Sequence, residues 1–444
     1  MASTSYQVIA EELAGRIRSG GIAAGTRLPT HRELARERRI AVATATRVYS
    51  ELAVMGLTVG EPGRGTYVRD VSGYDGAEPT RALPVPRVAD LSFNQPLSPE
   101  QGGQLRKELR RRAGMGDIES LLRQEPPGGR QVDRAVVATY LLGHGVDTVP
   151  ANVLLTGGSQ QGLDTVLRAL TRPGDVLAVD ALTYPGIKLL AAAHGLKLAP
   201  VPIRADGPDL DALDALCRTR PVRAIYAAPT VHNPLGWVLS AGQRERIVAA
   251  ARAGDSLLVE DGTYAFLESA PPPPLQALAP ERTFYVAGLS KNVAAGLRFG
   301  FTVVPDAHVA TVIRQLRAAA WGGPTLVTSL ATGWLADGTV ARLEQSRRED
   351  AVIRQNIART ALQGLDFTAH PGSYIVWLRL ESHQRPDLVA NVLAHEGILV
   401  TTADAFATGG YRPHALRLAL ATPPLEELSP ILRRLRTALD AIAP

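Results

Sequence analysis

The sequence predicts an α/β protein with two units: an N-terminal winged helix-turn-helix and a larger unit built on a mostly parallel sheet. Three observations lead to this prediction. Three short helical segments and a two-strand pattern fill the first 70 residues, and a Gly- and Pro-rich stretch follows at 71–88. From residue 89, apolar strands alternate with helical segments, which is typical of a sheet covered by helices on both faces. We therefore expect domains at 1–70 and 89–444, joined by a linker at 71–88.

The composition limits the classes of protein to consider. With 444 residues, 45% of them hydrophobic, the chain has enough material for two or three globular domains. A single cysteine, Cys217, excludes an internal disulfide framework and fits a reducing compartment. No apolar run reaches the ~20 residues that span a bilayer, and the N-terminus lacks the pattern of a signal peptide. We therefore expect a cytoplasmic protein that does not engage a membrane.

The net charge of +5 is unevenly distributed along the chain. Residues 1–70 carry ten arginines against seven acidic residues, a net charge of +3. This asymmetry permits a nucleic-acid partner without proving one.

The first 40 residues carry start and stop signals for two helices. Apolar residues (Val8, Ile9, Leu13, Ile17) recur near helical spacing within residues 6–19, and Gly20-Gly21 end that segment. Thr30 and Glu33 have the spacing of a capping box, which places a second helix at about 31–38.

A third helical segment, from Val42 to Met55, precedes a predicted two-strand wing. Val48, Leu52 and Met55 would share the apolar face of this helix, with Thr44 and Arg47 on another face. The turn E-P-G-R-G at 61–65 separates two short β patterns. In a module of this kind the third helix enters the major groove, and phosphate contacts set its register.

Residues 6–68 resemble the GntR family of bacterial repressors, through L-P-x-x-R-E-L at 28–34 and G-R-G-T-Y-V at 63–68. The resemblance implies a double-stranded DNA operator as partner. Ala41-Val42 departs from the family, in which Ser-Arg often begins the recognition helix. A winged helix used for protein contacts is the alternative. The residues that the resemblance assigns to DNA contacts are Arg32, Thr44, Thr46, Arg47, Arg64, Gly65 and Thr66.

Lys291 lies in a stretch that does not suit a surface lysine. Residues 284–300 read F-Y-V-A-G-L-S-K-N-V-A-A-G-L-R-F-G, an apolar strand followed by a turn and small residues. The chain has only four lysines, so arginine meets its ordinary surface needs. Burial lowers the pKa of an amine, as a Schiff-base nucleophile requires. The alternative is an ordinary surface lysine on a loop after a strand.

Five predicted strands each end in a polar or aromatic group, where active sites of open α/β sheets lie. The glycine cluster at 157–158 opens a helix and could hold an anion, although by itself it equally fits a tight turn. Together these groups supply the parts of a pyridoxal 5′-phosphate (PLP) site: an anion cradle, a carboxylate, ring-oxygen donors, a stacking ring and a lysine. The groups after the strands are Gly158, Ser159 and Gln160; Tyr184; Asn233; Asp261 and Tyr264; and Ser290 and Lys291.

Residues 90–440 resemble the fold-type I aminotransferases, which implies a mostly parallel large domain and a smaller α+β domain. The resemblance implies that Lys291 carries PLP, that Asp261 pairs with its pyridine nitrogen, and that Tyr264 completes the catalytic set. Asn233 and Tyr264 would bond the phenolic oxygen. Tyr184 would stack on the ring, and Arg417 would bind a substrate α-carboxylate. The expected phosphate-binding residues are Gly158, Ser159, Gln160, Ser290 and Arg298.

A winged helix, a linker and an aminotransferase-like unit in this order resemble the MocR subgroup of GntR regulators. Two positions depart from the common pattern. Residues 122–125 read L-R-Q-E where relatives often have a tyrosine, and Gly288 stands three residues before Lys291 where Ser or Thr is usual. These departures predict a weaker or rearranged hold on the phosphate.

The resemblance implies a PLP-responsive transcription regulator that senses an amino compound at Lys291. An active aminotransferase with an accessory winged helix is the first alternative, because the site residues for transamination are present. A cofactor-free dimerisation module is the second. A homodimer is expected, because sites of this fold commonly use residues from both subunits.

Overall fold

The computed structural model describes residues 6–18, 21–23, 25–54, 57–61, 65–68, 88–96 and 100–442. Its N-terminal part has the predicted winged helix-turn-helix order. The strands of the wing pair antiparallel, with Thr58 opposite Val68. The elements are α1 (Tyr6–Arg18), α2 (His31–Arg38), α3 (Val42–Val54), β1 (Thr58–Glu61) and β2 (Gly65–Val68).

The predicted capping box begins α2. The Thr30 side chain accepts a hydrogen bond from the Glu33 amide at 3.2 Å, and the Glu33 carboxylate accepts one from the Thr30 amide at 2.7 Å. The apolar faces of the three helices pack into one core that includes Leu13, Leu34 and Leu52. Val8 is 60% exposed, so its predicted place on the apolar face of α1 is wrong, because Ala10 and Ala14 complete that face instead. Met55 lies outside the described residues.

The second part of the chain alternates strands and helices as predicted. Its strands are β3 (Ala89–Asp90), β4 (Val153–Thr156), β5 (Val176–Asp180), β6 (Lys197–Val201), β7 (Ile203–Arg204), β8 (Gly207–Pro208), β9 (Val222–Ala227), β10 (Leu257–Asp261), β11 (Thr283–Gly288), β12 (Gly300–Val303), β13 (Phe367–Thr368), β14 (Ile375–Arg379), β15 (Ile398–Leu399), β16 (Thr401–Thr402) and β17 (Ala415–Ala419). Its helices are α4 (Gln101–Ala113), α5 (Gln131–Leu142), α6 (Ser159–Leu170), α7 (Pro185–Ala193), α8 (Leu210–Thr219), α9 (Ala241–Ala253), α10 (Leu275–Leu278), α11 (Val309–Ala319), α12 (Thr325–Ala336), α13 (Thr339–Ala361), α14 (Pro386–His395) and α15 (Leu425–Asp440).

Within the described ranges, seven strands form the main sheet in the order β4-β12-β11-β10-β9-β5-β6. Strand β12 runs antiparallel to both of its neighbours, and β5, β6, β9, β10 and β11 are mutually parallel. Every residue of β11 is buried, which explains its continuous apolar run. Helices α6, α7 and α11 share a core with one face of the sheet. Helices α5, α8, α9 and α12 share cores with the other.

A smaller α+β unit follows, as the aminotransferase resemblance implied. Strands β13, β14, β17 and β16 form an antiparallel sheet that shares a core with α14 and α15. Strand β3 joins this unit by pairing parallel with β15, so the chain enters the second part at the smaller unit. Residues 71–87 of the predicted linker lie outside the described residues. Across the described ranges, no helix is long and apolar enough to cross a membrane.

Candidate functional site

A cleft opens at the carboxyl ends of the parallel strands, where the strand-end residues were expected to meet. It encloses about 760 Å³ of space free of protein atoms, counting its open mouth. This is within the usual size range of small-molecule sites, roughly 300–1,000 Å³. Nine of the predicted residues line it: Ser159, Gln160, Tyr184, Asn233, Asp261, Tyr264, Ser290, Lys291 and Arg298.

Lys291 is half-buried in this cleft, on the turn that follows β11. Its ammonium group lies 2.8 Å from the Asn94 carbonyl oxygen and 3.9 Å from the centre of the Phe93 ring. Phe93 and Asn94 were missed in the sequence analysis, because they precede the main sheet by about 60 residues and end no strand of it. Only the tertiary fold brings them to the lysine.

Close backbone packing explains Gly288, where relatives often carry Ser or Thr. A Cβ at this position would lie 2.8 Å from the Phe299 carbonyl oxygen and 3.1 Å from the Gly300 Cα. A side chain therefore has no space there. The departure from the family pattern follows from the close approach of β11 and β12.

The anion cradle is built from the start of α6 and the loop before β12. Gly158 has a φ of 100°, which favours glycine, and α6 begins at Ser159 with its free amides at this end. The Arg298 guanidinium packs against Gly158, so closely that a Cβ on Gly158 would lie 2.9 Å from it. Gly158 and Arg298 are therefore in contact beside the start of α6, and Ser159, Gln160 and Ser290 line the same cleft.

Asp261, the last residue of β10, is held by two hydrogen bonds. Its Oδ2 accepts from the Tyr226 hydroxyl at 2.7 Å, and its Oδ1 accepts from the Thr263 amide at 2.9 Å. Burial, followed by the Asp261 charge, raises the pKa of Tyr226 well above its ordinary value, so this hydroxyl stays a donor. Tyr226 was missed, although a tyrosine near the end of a buried strand was a usable signal.

Arg417 does not line the cleft. It lies on β17, 1% exposed, where it donates to the Ser92 carbonyl at 2.5 Å and its guanidinium lies 5.2 Å from the Phe406 ring centre. It is therefore not a surface arginine. The segment Ser92–Asn94 contacts both Arg417 and Lys291.

The predicted DNA-contact residues lie on α2, α3 and the wing. Arg32, Thr46 and Arg47 are exposed, whereas Thr44, Gly65 and Thr66 are half-buried. Arg64 lies outside the described residues.

Two further polar residues near this surface were missed. The Thr46 hydroxyl lies 3.2 Å from His31 Nδ1. Exposed Arg27 packs against Gly65, where a Cβ would lie 2.8 Å from its Nε. Each stands beside a motif residue, which was the available signal.

The polar side chains of the cleft fit the polar groups of PLP. Gln160 Oε1, Asn233 Oδ1 and Ser290 Oγ are buried and have no hydrogen-bond partner within the described part of the protein. A buried polar atom without a partner requires an explanation, and a bound ligand can supply the partner where the atom lines a cleft. The Ser290 hydroxyl and the Arg298 guanidinium can donate to a phosphate, and the Asn233 Nδ2 can donate to a phenolic oxygen. Lys291 offers an amine to an aldehyde, and Asp261 a carboxylate to a pyridine nitrogen. The described residues contain no group of three or more His, Cys, Asp or Glu side chains that could hold a metal ion.

Comparisons with known proteins agree with this geometry. Residues 86–435 match the family model for aminotransferase class I and II, and residues 5–68 match the model for bacterial regulatory proteins of the gntR family. The HTH-type transcriptional regulator YdeF of Bacillus subtilis is 25% identical over 98% of this chain and 94% of its own length.

Relatives also include enzymes. A 2-aminoadipate transaminase of Thermus thermophilus is 28% identical over 73% of this chain and 83% of its own length. The structure of LysN, the alpha-aminoadipate aminotransferase of the same species, superposes with a TM-score of 0.73 and 25% identity over 80% of this chain and 92% of LysN. The chain therefore belongs to the aminotransferase class I and II family and joins to it a GntR-type DNA-binding domain, the combination found in the MocR subgroup of PLP-dependent transcription regulators.

Proposed function

We propose that this protein binds PLP on Lys291, senses an amino compound there, and changes its binding to a DNA operator in response. The observation that carries the proposal is the meeting, in one cleft, of the half-buried Lys291, the Asp261 carboxylate held by Tyr226, and the donors of Ser290 and Arg298. A purely structural module has no need for these groups together.

In this proposal each group of residues binds a different part of the cofactor. Gly158, Ser159, Gln160, Ser290 and Arg298 hold the phosphate, and Tyr184 stacks on the ring. Asn233 and Tyr264 bond the phenolic oxygen.

PLP supplies an aldehyde that condenses with amines and a ring that accepts electrons. Lys291 is the chain's own nucleophile toward that aldehyde. Asp261 holds negative charge at the ring nitrogen, and Tyr226 fixes the orientation of its carboxylate. Tyr264 completes the proposed catalytic set.

Arg417 is proposed to bind the carboxylate of an amino acid. Its Nη2 donates to the Ser92 carbonyl oxygen, and a ligand carboxylate that binds Nη2 would replace that oxygen. We propose that the ligand displaces the segment Ser92–Asn94 in this way. The segment begins six residues after the family match starts and leads back toward the DNA-binding part. If the ligand binds more tightly to one of two positions of this segment, and DNA binding also depends on that position, then the ligand changes the affinity for DNA.

A homodimer is also proposed. Helix α12 contacts both helix α4 and the 3₁₀ turn at 118–122, and this region exposes large apolar side chains that include Leu122 at 89%. Exposed apolar patches of this kind mark interfaces. A second copy fits best, because helix-turn-helix dimers bind two half-sites of an operator. The exposed side chains are Leu105, Leu109, Met115, Ile118, Leu122 and Leu326.

The test is an absorbance titration of the purified protein with PLP, followed by a panel of amino acids and a keto-acid acceptor. A visible band that shifts on amine addition, without turnover, together with a change in operator affinity, supports the regulator. Steady formation of keto acid would contradict a pure regulator and support the alternative, an active aminotransferase. No band at all would contradict the proposal and leave a cofactor-free dimerisation module.

Sedimentation of the same protein tests the dimer. Leu122→Asp should shift it toward a monomer, whereas Leu189→Asp, also at an exposed apolar residue but on α7, should not. A wild-type monomer at micromolar concentration would contradict this part of the proposal.

A further inference from the structure

A buried polar cluster lies beside the turn that carries Lys291. Its centre is Glu344 on α13, 4% exposed. The Glu344 Oε1 accepts hydrogen bonds from the Tyr140 hydroxyl at 2.5 Å and from the Asn292 amide at 2.7 Å. His144 Nε2 lies 3.5 Å from the other carboxylate oxygen. We call these four residues the Glu344 cluster.

The cluster reaches the cofactor cleft through a single backbone turn. Asn292 directly follows Lys291, and the amides of Val293 and Ala294 both donate to the Leu289 carbonyl at 3.0 Å. Ser290 and Lys291 line the cleft, whereas Asn292 is absent from its lining and bonds Glu344. Two adjacent residues of this turn therefore serve different sites.

The cluster keeps its carboxylate charged. Burial acts to raise the pKa of Glu344, but donation from His144, Tyr140 and Asn292 and the His144 charge leave this pKa below its ordinary value. Burial and the Glu344 charge raise the pKa of Tyr140 well above its ordinary value, so its hydroxyl remains a donor. A buried charge with several donors gives strong, directional hydrogen bonds.

We propose that Glu344 is a positioning residue for Lys291, because it clamps Asn292 and thereby holds the lysine turn at the cofactor cleft. Tyr140 and His144 orient the carboxylate and do not touch the cofactor. The inference rests on the proposed function of Lys291. It assigns a role to residues outside the cleft: Tyr140 on α5, His144 just after it, and Glu344 on α13.

The clamp has a direct test in PLP affinity, measured by the visible absorbance of the lysine-bound cofactor. Asn292→Ala and Glu344→Gln should each weaken PLP binding about tenfold, the usual effect of losing a hydrogen bond to a charged group. Tyr140→Phe, a milder change that removes one donor, should weaken it about threefold. Thermal unfolding of the same samples checks that each variant is folded.

A reversed pair separates positioning from general stability. The double variant Asn292→Asp/Glu344→Gln exchanges donor and acceptor, so it should recover affinity to within about threefold of wild type. Asp350→Asn is the matched control, because Asp350 lies on the same helix and also accepts a tyrosine hydroxyl, from Tyr374 at 2.9 Å. It should lower the unfolding temperature without changing PLP affinity.

The outcomes distinguish the two proposals. A wild-type protein without the visible band contradicts the proposed function itself. A normal wild-type band with unchanged affinity in the three single variants contradicts only the clamp. So does a double variant that fails to recover, or an equal loss of affinity in Asp350→Asn.

Discussion

The two parts of this protein place their functional side chains in opposite environments. On the winged helix, Arg32, Thr46 and Arg47 are exposed, and the core beneath them is built from other residues. In the cleft, Asp261 and Ser290 are buried, and Asp261 is held by a buried neighbour, Tyr226.

The contrast teaches how each part should respond to change. Exposed cations act mainly through charge. The loss of one should therefore weaken DNA binding by a limited amount, as an increase in salt concentration also does. Buried groups act through position in a low dielectric, so the loss of one partner should impair the site sharply.

The largest effect is expected at the lysine. Lys291→Ala should abolish the visible absorbance band completely while the fold remains intact, because Lys291 is the one lysine among the described residues that line the cleft. The measurement is the absorbance spectrum with PLP. Lys197→Ala, at an exposed lysine of β6, is the control and should keep the band. An unchanged spectrum in Lys291→Ala would remove the cofactor assignment.

The next effect concerns stability and pH at Glu260, which lies beside Asp261 on β10. Burial raises the pKa of Glu260 from 4.5 to about 7, although Gln276, Arg244 and other partners act against this. Between pH 4.5 and 7 the unfolded chain ionises this carboxyl while the folded protein keeps its proton. Stability therefore falls as pH rises through this window, by on the order of 3 kcal/mol.

Glu260→Gln should remove this pH dependence, because the amide does not titrate and still accepts the Gln276 amide hydrogen bond. The measurement is denaturant unfolding of both proteins between pH 5 and 8. Parallel stability curves for the variant and wild type would contradict the raised pKa of Glu260.

On the exposed side, Arg32→Ala with Arg47→Ala should weaken operator binding about a hundredfold and reduce the salt slope by about two. The measurement is operator affinity at several salt concentrations. Arg246→Ala with Arg252→Ala removes the same charge from exposed positions on α9 and should leave both quantities nearly unchanged. Equal effects in the two pairs would show that only total charge matters.

Tyr226→Phe tests the importance of a buried hydrogen bond for PLP binding. Loss of its hydrogen bond to Asp261 should weaken PLP binding about fivefold. Tyr374→Phe removes another buried hydroxyl that donates to an aspartate, and it should not affect PLP. If both variants lost PLP affinity, the effect of Tyr226→Phe would come from a general loss of packing and not from its hydrogen bond to Asp261.

The smallest effect is expected at the capping box. Thr30→Ala should destabilise the N-terminal part by about 1 kcal/mol, because the Glu33 amide loses its acceptor. Thr30→Ser should restore the stability. Thermal unfolding of the full chain measures the change. An unchanged unfolding curve for Thr30→Ala would contradict the contribution of this cap.

Local patterns in the sequence were sufficient for much of the fold. The Thr30–Glu33 spacing predicted α2 within the described bounds, and the apolar run before Gly288 predicted a strand, which the structure shows to be fully buried. Eight residues predicted from strand ends line one cleft, and Arg298, predicted from the family resemblance, lines it with them. These signals are readable because caps, periodicity and strand ends depend on neighbours close in the chain.

The tertiary structure alone decided which distant residues complete each site. Asn94 lies almost 200 positions before Lys291, and Glu344 lies 52 positions after Asn292, yet both form hydrogen bonds with that turn. It also decided that Arg417 is covered by Ser92 and does not line the cleft. Such contacts depend on how whole elements pack, and no local spacing encodes them.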